Sequence, residues 1–229
     1  MAVLTRPTGF PVGGGSGNGL STITVVPVTI GDLIIVSVLI GSTSISVTGM
    51  SSTNVKNWSR AVSAIDATSV NTMEIWTGAA TVASSAVVTV TYSGSVASTF
   101  CEIDADSLHS SVLGPWGIVT GAGVHDASGT VNNFPTLIAS AAGQAYWGIL
   151  TPQNTPSAGA TSGFVYNLLD TNFVITALNV NLAQGSVTPQ SNQSPTGTAT
   201  AIGIIVTPGD PKPSLRVSNN RALQRAASF

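Results

Sequence analysis

What this sequence has least of is charge. Seven Lys and Arg and nine Asp and Glu stand in 229 residues, where a typical soluble domain of that length carries roughly 57, about a quarter of its residues. Hydrophobic residues still make up 43%, so the deficit is filled by Ser, Thr, Gly and Asn on the surface and does not signal disorder. A net charge of −2 supplies no basic field for a phosphate backbone, so no nucleic-acid binding is expected of the main body. Cysteine is nearly missing too. The lone Cys101 permits no internal disulfide, and within the alternating Thr99-Phe100-Cys101-Glu102-Ile103 it reads as a buried, inert filler. The longest apolar run, Leu33 to Ile40, is eight residues including Ser37, far short of the ~20 a spanning helix needs, so no membrane insertion is expected. The opening Met-Ala-Val-Leu-Thr-Arg-Pro lacks the apolar stretch of about 7 to 15 residues found in a secretory signal. The expectation is a protein left in the cytoplasm unless a larger assembly carries it out. Charged helix formers are confined to Glu74, Glu102, Lys56 and Lys212, so helix is not expected over most of the length.

What is present is β pattern. Short stretches rich in Val, Ile and Thr, separated by Gly, Ser, Asn and Pro, predict strands at 22–30, 32–41, 43–48, 58–65, 71–80, 86–93, 98–104, 136–141, 144–151, 163–169, 172–182 and 198–207. Leu33-Ile34-Ile35-Val36 is apolar on both faces and reads as a central strand, whereas Leu178 to Leu182 alternates, with one face wet. Twelve short strands without crossover helices predict an all-β protein, an antiparallel β-sandwich of jelly-roll type spanning residues 22–206 as one domain. Two arms flank it: a flexible Gly-rich arm at 1–21, from the run Gly13 to Gly19, and a Pro-containing basic arm at 207–229. Residues 105 to 135 read as a long insertion, of the kind that often carries function.

Chemistry is sparse. Period 2 sets Glu102, Asp104 and Asp106 on one face, with Cys101 and Ile103 on the other. A solvated acidic face is the leading reading, ahead of a structural metal or a carboxylate pair for glycoside hydrolysis. His109 and His125 lack the spacing and the cysteine partners of a zinc site, and no nucleophile motif or dinucleotide fingerprint occurs. No catalytic residue, metal ligand or cofactor is therefore assigned. Trp76 and Trp147 read as sheet packing. Trp116, in Gly114-Pro115-Trp116-Gly117, is the aromatic expected to be exposed and the candidate contact for a glycan.

Several stretches, taken in order, resemble β-sandwich domains of tailed-phage virion proteins. They are Ile23-Thr24-Val25 through Pro27 to Gly31-Asp32-Leu33-Ile34-Ile35-Val36, then Asn57-Trp58, Met73 to Ala79, Val87 to Ser93 and Phe100 to Ile103. The later Ala139 to Gly148 resembles the second-half opening of the same domain, and Leu215 to Leu223 is similar to the ends of minor tail proteins from actinobacteriophages. The resemblance implies a non-enzymatic structural component of a virion, first a minor tail protein and second a capsid decoration protein, with other virion proteins as partners. It also implies a homo-oligomer, a trimer or higher ring. A carbohydrate-binding module for a host surface glycan is the further alternative.

The tail from Thr207 holds four basic residues, Lys212, Arg216, Arg221 and Arg225, against Asp210 alone, a net +3 that leaves −5 on residues 1–206. Pro208, Pro211 and Pro213 keep the chain extended beyond the sandwich. Arg216, Arg221, Leu223, Arg225 and Phe229 are the expected partner contacts: the arginines on an acidic surface, Leu223 and Phe229 in apolar pockets.

Overall fold

Alternating β-branched residues with little helix-forming material leave the backbone one way to satisfy its polar groups, which is cross-strand pairing. A computed structural model describes residues 2–27, 29–66, 70–112, 114–169 and 174–209. Among them every regular element is a strand, and every pairing is antiparallel.

The first half holds β1 (Leu4–Thr5), β2 (Val12–Asn18), β3 (Thr22–Val25), β4 (Leu33–Ile40), β5 (Val47–Ser51), β6 (Val55–Ile65), β7 (Thr72–Ala80), β8 (Ala86–Tyr92) and β9 (Phe100–Ser110). Its large sheet runs β1-β9-β4-β7-β6, with β2 also on β9, and a small sheet runs β3-β8-β5. The second half holds β10 (Gly117–Asn133), β11 (Leu137–Ala139), β12 (Ala145–Pro152), β13 (Thr155–Ser157), β14 (Val165–Leu169), β15 (Val174–Asn179), β16 (Gly185–Val187) and β17 (Gln190–Thr207). Its large sheet runs β10-β17-β12-β15-β14, with β13 on β17, and its small sheet is β11-β16.

Counting eight strands from β2 and eight from β10, both large sheets interleave as 1-8-3-6 and continue to strand 5, while the small sheets pair 2 with 7. That interleaving follows the jelly-roll order, and it occurs twice. The expected single sandwich over 22–206 is thus corrected to two sandwiches in tandem. Equivalent turns fix the alignment. Gly31 and Gly143, with φ of +94° and +80°, enter β4 and β12 in a conformation that favours glycine. Gly31 donates to Ala80 O while Ala80 donates to Asp32 O, and Gly143 and Leu182 repeat the exchange with Gln144. From this anchor Val36 corresponds to Gly148 and Trp76, opposite Val36, to Ala177, opposite Gly148.

Three apolar layers hold the stack together. Ile34, Val36, Val38, Cys101 and Ile103 pack on Ile23, Val88 and Val90 of the first small sheet. Tyr146, Leu150, Ile175 and Ile205 pack with Phe134 and Leu137 in the second half. Between the two large sheets lie Leu33, Ile35, Met73, Ile75 and Leu108 from one side and Trp147, Ile149, Leu178, Ile202 and Ile204 from the other. The inner strands of both large sheets are therefore covered on both faces.

Two further expectations change. The arm at 1–21 is built into the first sheet, because its glycines are used for space: a Cβ on Gly14 would lie 2.4 Å from the Ile103 carbonyl oxygen. The insertion at 105–135 is mostly strand, the end of β9 and all of β10. There Gly121 and Gly123 let β10 approach β6, since a Cβ at Gly123 would meet that of Ala64 at 2.8 Å.

Candidate binding site

The acid row on β9 is the densest polar feature of the sequence, and it is not a solvated face. Glu102, Asp104 and Asp106 are all buried. They share the parity of Leu108, which faces the layer between the large sheets. β9 lies between β4 and β2 and is covered on both faces, so alternation along it separates two interiors and not inside from outside. Asp106 ties the halves together. It accepts the guanidinium of Arg6 through both carboxylate oxygens, the indole N–H of Trp147 at 2.8 Å and the backbone N–H of Ser107 at 2.8 Å. A buried carboxylate met by one cation and two further donors is satisfied in place. Trp147 and Trp76 are buried, as expected of sheet packing.

The histidines are apart in role. His109 Nδ1 lies 2.8 Å from Asp32 Oδ1, and His125 Nδ1 lies 3.4 Å from Thr200 Oγ1. Among the described residues no group of three or more His, Cys, Asp or Glu side chains converges to hold a metal ion. Cys101 is buried and free, and burial pushes its thiol pKa up, with a hydrogen bond to Tyr92 acting the other way. No helix among the described residues is long and apolar enough to cross a membrane.

Trp116 is half-buried instead of presented on a turn. Its indole N–H donates to the Gly31 carbonyl at 2.8 Å, and its ring packs against the layer between the sheets. What remains open is a cavity of about 160 Å³ bordered by Trp116, Pro115, Ile118, Asn57, Ser59 and Thr77. Asn57 has φ of 58°, the left-handed region that Asn tolerates better than most residues. Nothing in the sequence signalled that Asn57 and Thr77 would meet Trp116, since the shift in register between Lys56 and Ser59 sets their positions.

The partner contacts expected on the C-terminal arm, Arg216, Arg221, Leu223, Arg225 and Phe229, lie outside the described residues. The chain reaches them from Gly209, packed so closely on Pro115 that a Cβ there would lie 1.8 Å from the Pro115 carbonyl oxygen. Comparison with known protein families, curated proteins and solved structures finds no match.

Charge is distributed in one direction. Six of the seven described carboxylates, Asp32, Asp66, Glu74, Glu102, Asp104 and Asp106, are buried, and Asp126 is half-buried against Asn133. Lys56 and Arg60 are the exposed charged side chains among the described residues. Large apolar side chains such as Ile30, Val87, Ile138, Val165 and Leu168 are open to solvent.

Proposed function

We propose that this chain is a non-enzymatic structural component of a phage virion, a minor tail protein that assembles through its sandwich surfaces and its terminal arm. The observation that carries the reading is the near absence of exposed charge on the described surface. Repeated copies or neighbouring proteins can pack against such a surface without like-charge repulsion, and low net charge promotes association. Burial of Glu102 and Asp104 counts against their use on a wall polysaccharide, because a polymer cannot reach them. On this reading the arginines of residues 207–229 pair with an acidic surface of a neighbouring virion protein.

Antibody-labelled electron microscopy of purified virions tests this. Label at the tail in a fixed copy number is the expected result, label over the capsid shell moves the protein to a decoration role, and particles without it overturn the proposal. Deleting residues 208–229 should leave the melting temperature of the sandwiches nearly unchanged and reduce incorporation. The cavity beside Trp116 supports a second reading, contact with a host glycan. It requires that Trp116→Phe, which keeps the ring but loses the N–H bond to Gly31, retains binding to host cells and that Trp116→Ala loses it.

A further inference from the structure

The first small sheet has three strands and lies over a wider large sheet, and beside it, over the ends of β6 and β7, a cavity opens. A register shift between Arg60 and Val62 turns Ala61 and Val62 both toward the central layer. Arg60 and Ser63 thereby fall on the opposite face, the kind of re-aiming a β-bulge produces. Beneath them on β7 is Glu74, whose side chain is fully buried. Its Oε1 accepts the Val47 N–H at 3.0 Å and its Oε2 the indole N–H of Trp76 at 2.8 Å. The Arg60 guanidinium lies 3.7 Å from Oε2, beyond hydrogen-bonding distance, and its side chain is 47% exposed. These groups border a cavity of about 390 Å³ with Thr43, Ser44 and Ser46 on its other wall.

Among the described cations Arg6 is committed to Asp106, and Lys56 donates to the Ser52 carbonyl at 2.8 Å. Arg60 alone donates no hydrogen bond among the described residues, and neither does the Ser63 hydroxyl. A planar fork of N–H donors beside hydroxyls, in a recess, matches a compact oxyanion. The architecture does not demand this arrangement. In the second half the equivalents of Arg60, Ser63, Glu74 and Trp76 are Tyr166, Leu168, Ile175 and Ala177, by the same cross-strand register. There the space is filled by Tyr166 packed with Phe134 and Phe164.

We infer that the Arg60 cleft binds an anionic group carried on a hydroxylated scaffold, with Arg60 and Ser63 taking the oxyanion and Thr43, Ser44 and Ser46 facing the hydroxyls. A uronic-acid saccharide and a polyol phosphate share this chemistry. Glu74 positions the guanidinium from below and does not touch the ligand. This site lies on a different face of the first large sheet from Trp116 and is independent of the virion assignment.

The indole N–H of Trp76, bonded to Glu74, is a built-in reporter. With ¹⁵N-labelled full-length protein, glucuronate, glycerol 3-phosphate and glucose are titrated separately, following the Trp76 indole signal assigned by its loss in Trp76→Phe. A saturable shift with glucuronate, with glycerol 3-phosphate or with both, absent with glucose, is the expected result, and the pattern identifies the source. Arg60→Ala should weaken binding at least about tenfold, the scale of losing a charge-assisted hydrogen bond, with the other amide signals in place, and Arg60→Lys should restore part of it. No saturable shift with either anion, an equal response to glucose, or unchanged affinity in a folded Arg60→Ala protein would overturn the inference.

Discussion

At the position where the first half buries Glu74 under Arg60, the second half buries Ile175 under Tyr166. Where the first half has Val36 in its central strand, the second has Gly148, leaving room for the rings of Tyr146 and Phe134. The weave is common to both, and the filling is not. One half packs branched side chains around Trp76 and keeps a charged recess at its open end. The other packs aromatic rings and closes it. A strand order is set by backbone pairing and the parity of apolar residues, which many side-chain sets satisfy; the choice among those sets is where a binding function can enter without cost to the architecture.

The contrast can be broken most severely by giving the second half the first half's acid. Ile175→Glu would bury a carboxylate without the Val47 and Trp76 donors that hold Glu74, and a loss on the order of 3–5 kcal/mol is expected, as for an uncompensated buried charge, measured by urea unfolding. Gly148→Val would import the branched residue of the first half. A Cβ at Gly148 would meet Tyr146 Cε1 at 2.9 Å and Phe134 Cδ1 at 3.0 Å, so overpacking of about 1–3 kcal/mol is expected, and a gain in stability would show that the rings relax freely. The reverse graft, Glu74→Ile, leaves the Val47 N–H and the Trp76 indole without acceptors at about 1–3 kcal/mol. Calorimetry showing no loss would mean water replaces the carboxylate.

The smallest effect is a matter of pH. Burial raises the pKa of Tyr92, with the Cys101 thiolate adding to it, and of Cys101 in the first half, and of Tyr146 in the second. The unfolded chain gives up these protons near 9.0 for cysteine and 10.0 for tyrosine, and the folded chain holds them longer. Their contribution is therefore full below about pH 9 and declines as pH rises beyond it. Unfolding midpoints from pH 7 to 11 should be flat and then fall, and Cys101→Ala should delay the onset. A fall that begins below pH 8 would assign it to other groups.

The two-sided cover of β4 was legible because Leu33 to Val36 is apolar at every position. β9 is covered on both faces as well, without an apolar run to show it. Its carboxylates follow the solvent pattern, and the one at Asp106 is held in the interior by Arg6, a hundred residues away in the chain, and by Trp147 from the other half. β10 was obscured because the residues that fit it against β6 are glycines, which read as loop when the neighbouring strand is not known. The duplication stayed hidden for a related reason: Arg60 and Tyr166, or Glu74 and Ile175, share a place and nothing else. The Arg60 cleft depends on a register shift that no residue type in Arg60-Ala61-Val62-Ser63 announces.

The way the two chain ends are anchored has a mechanical consequence. Toward the C-terminus the last described strand, β17, is eighteen residues long and is paired with β10 on one side and with β12 and β13 on the other. Antiparallel ladder bonds lie across the strand, so tension applied through residues 210–229 loads two ladders in shear, with many bonds sharing the force at once. Toward the N-terminus β1 offers two residues, Leu4 and Thr5, on one neighbour, and would peel bond by bond. Pulling single molecules from the C-terminal end against an internal anchor should require the greater rupture force, and equal forces from both ends would contradict this. A chain that grips its neighbours through its C-terminal segment would thus carry strain on its strongest strand.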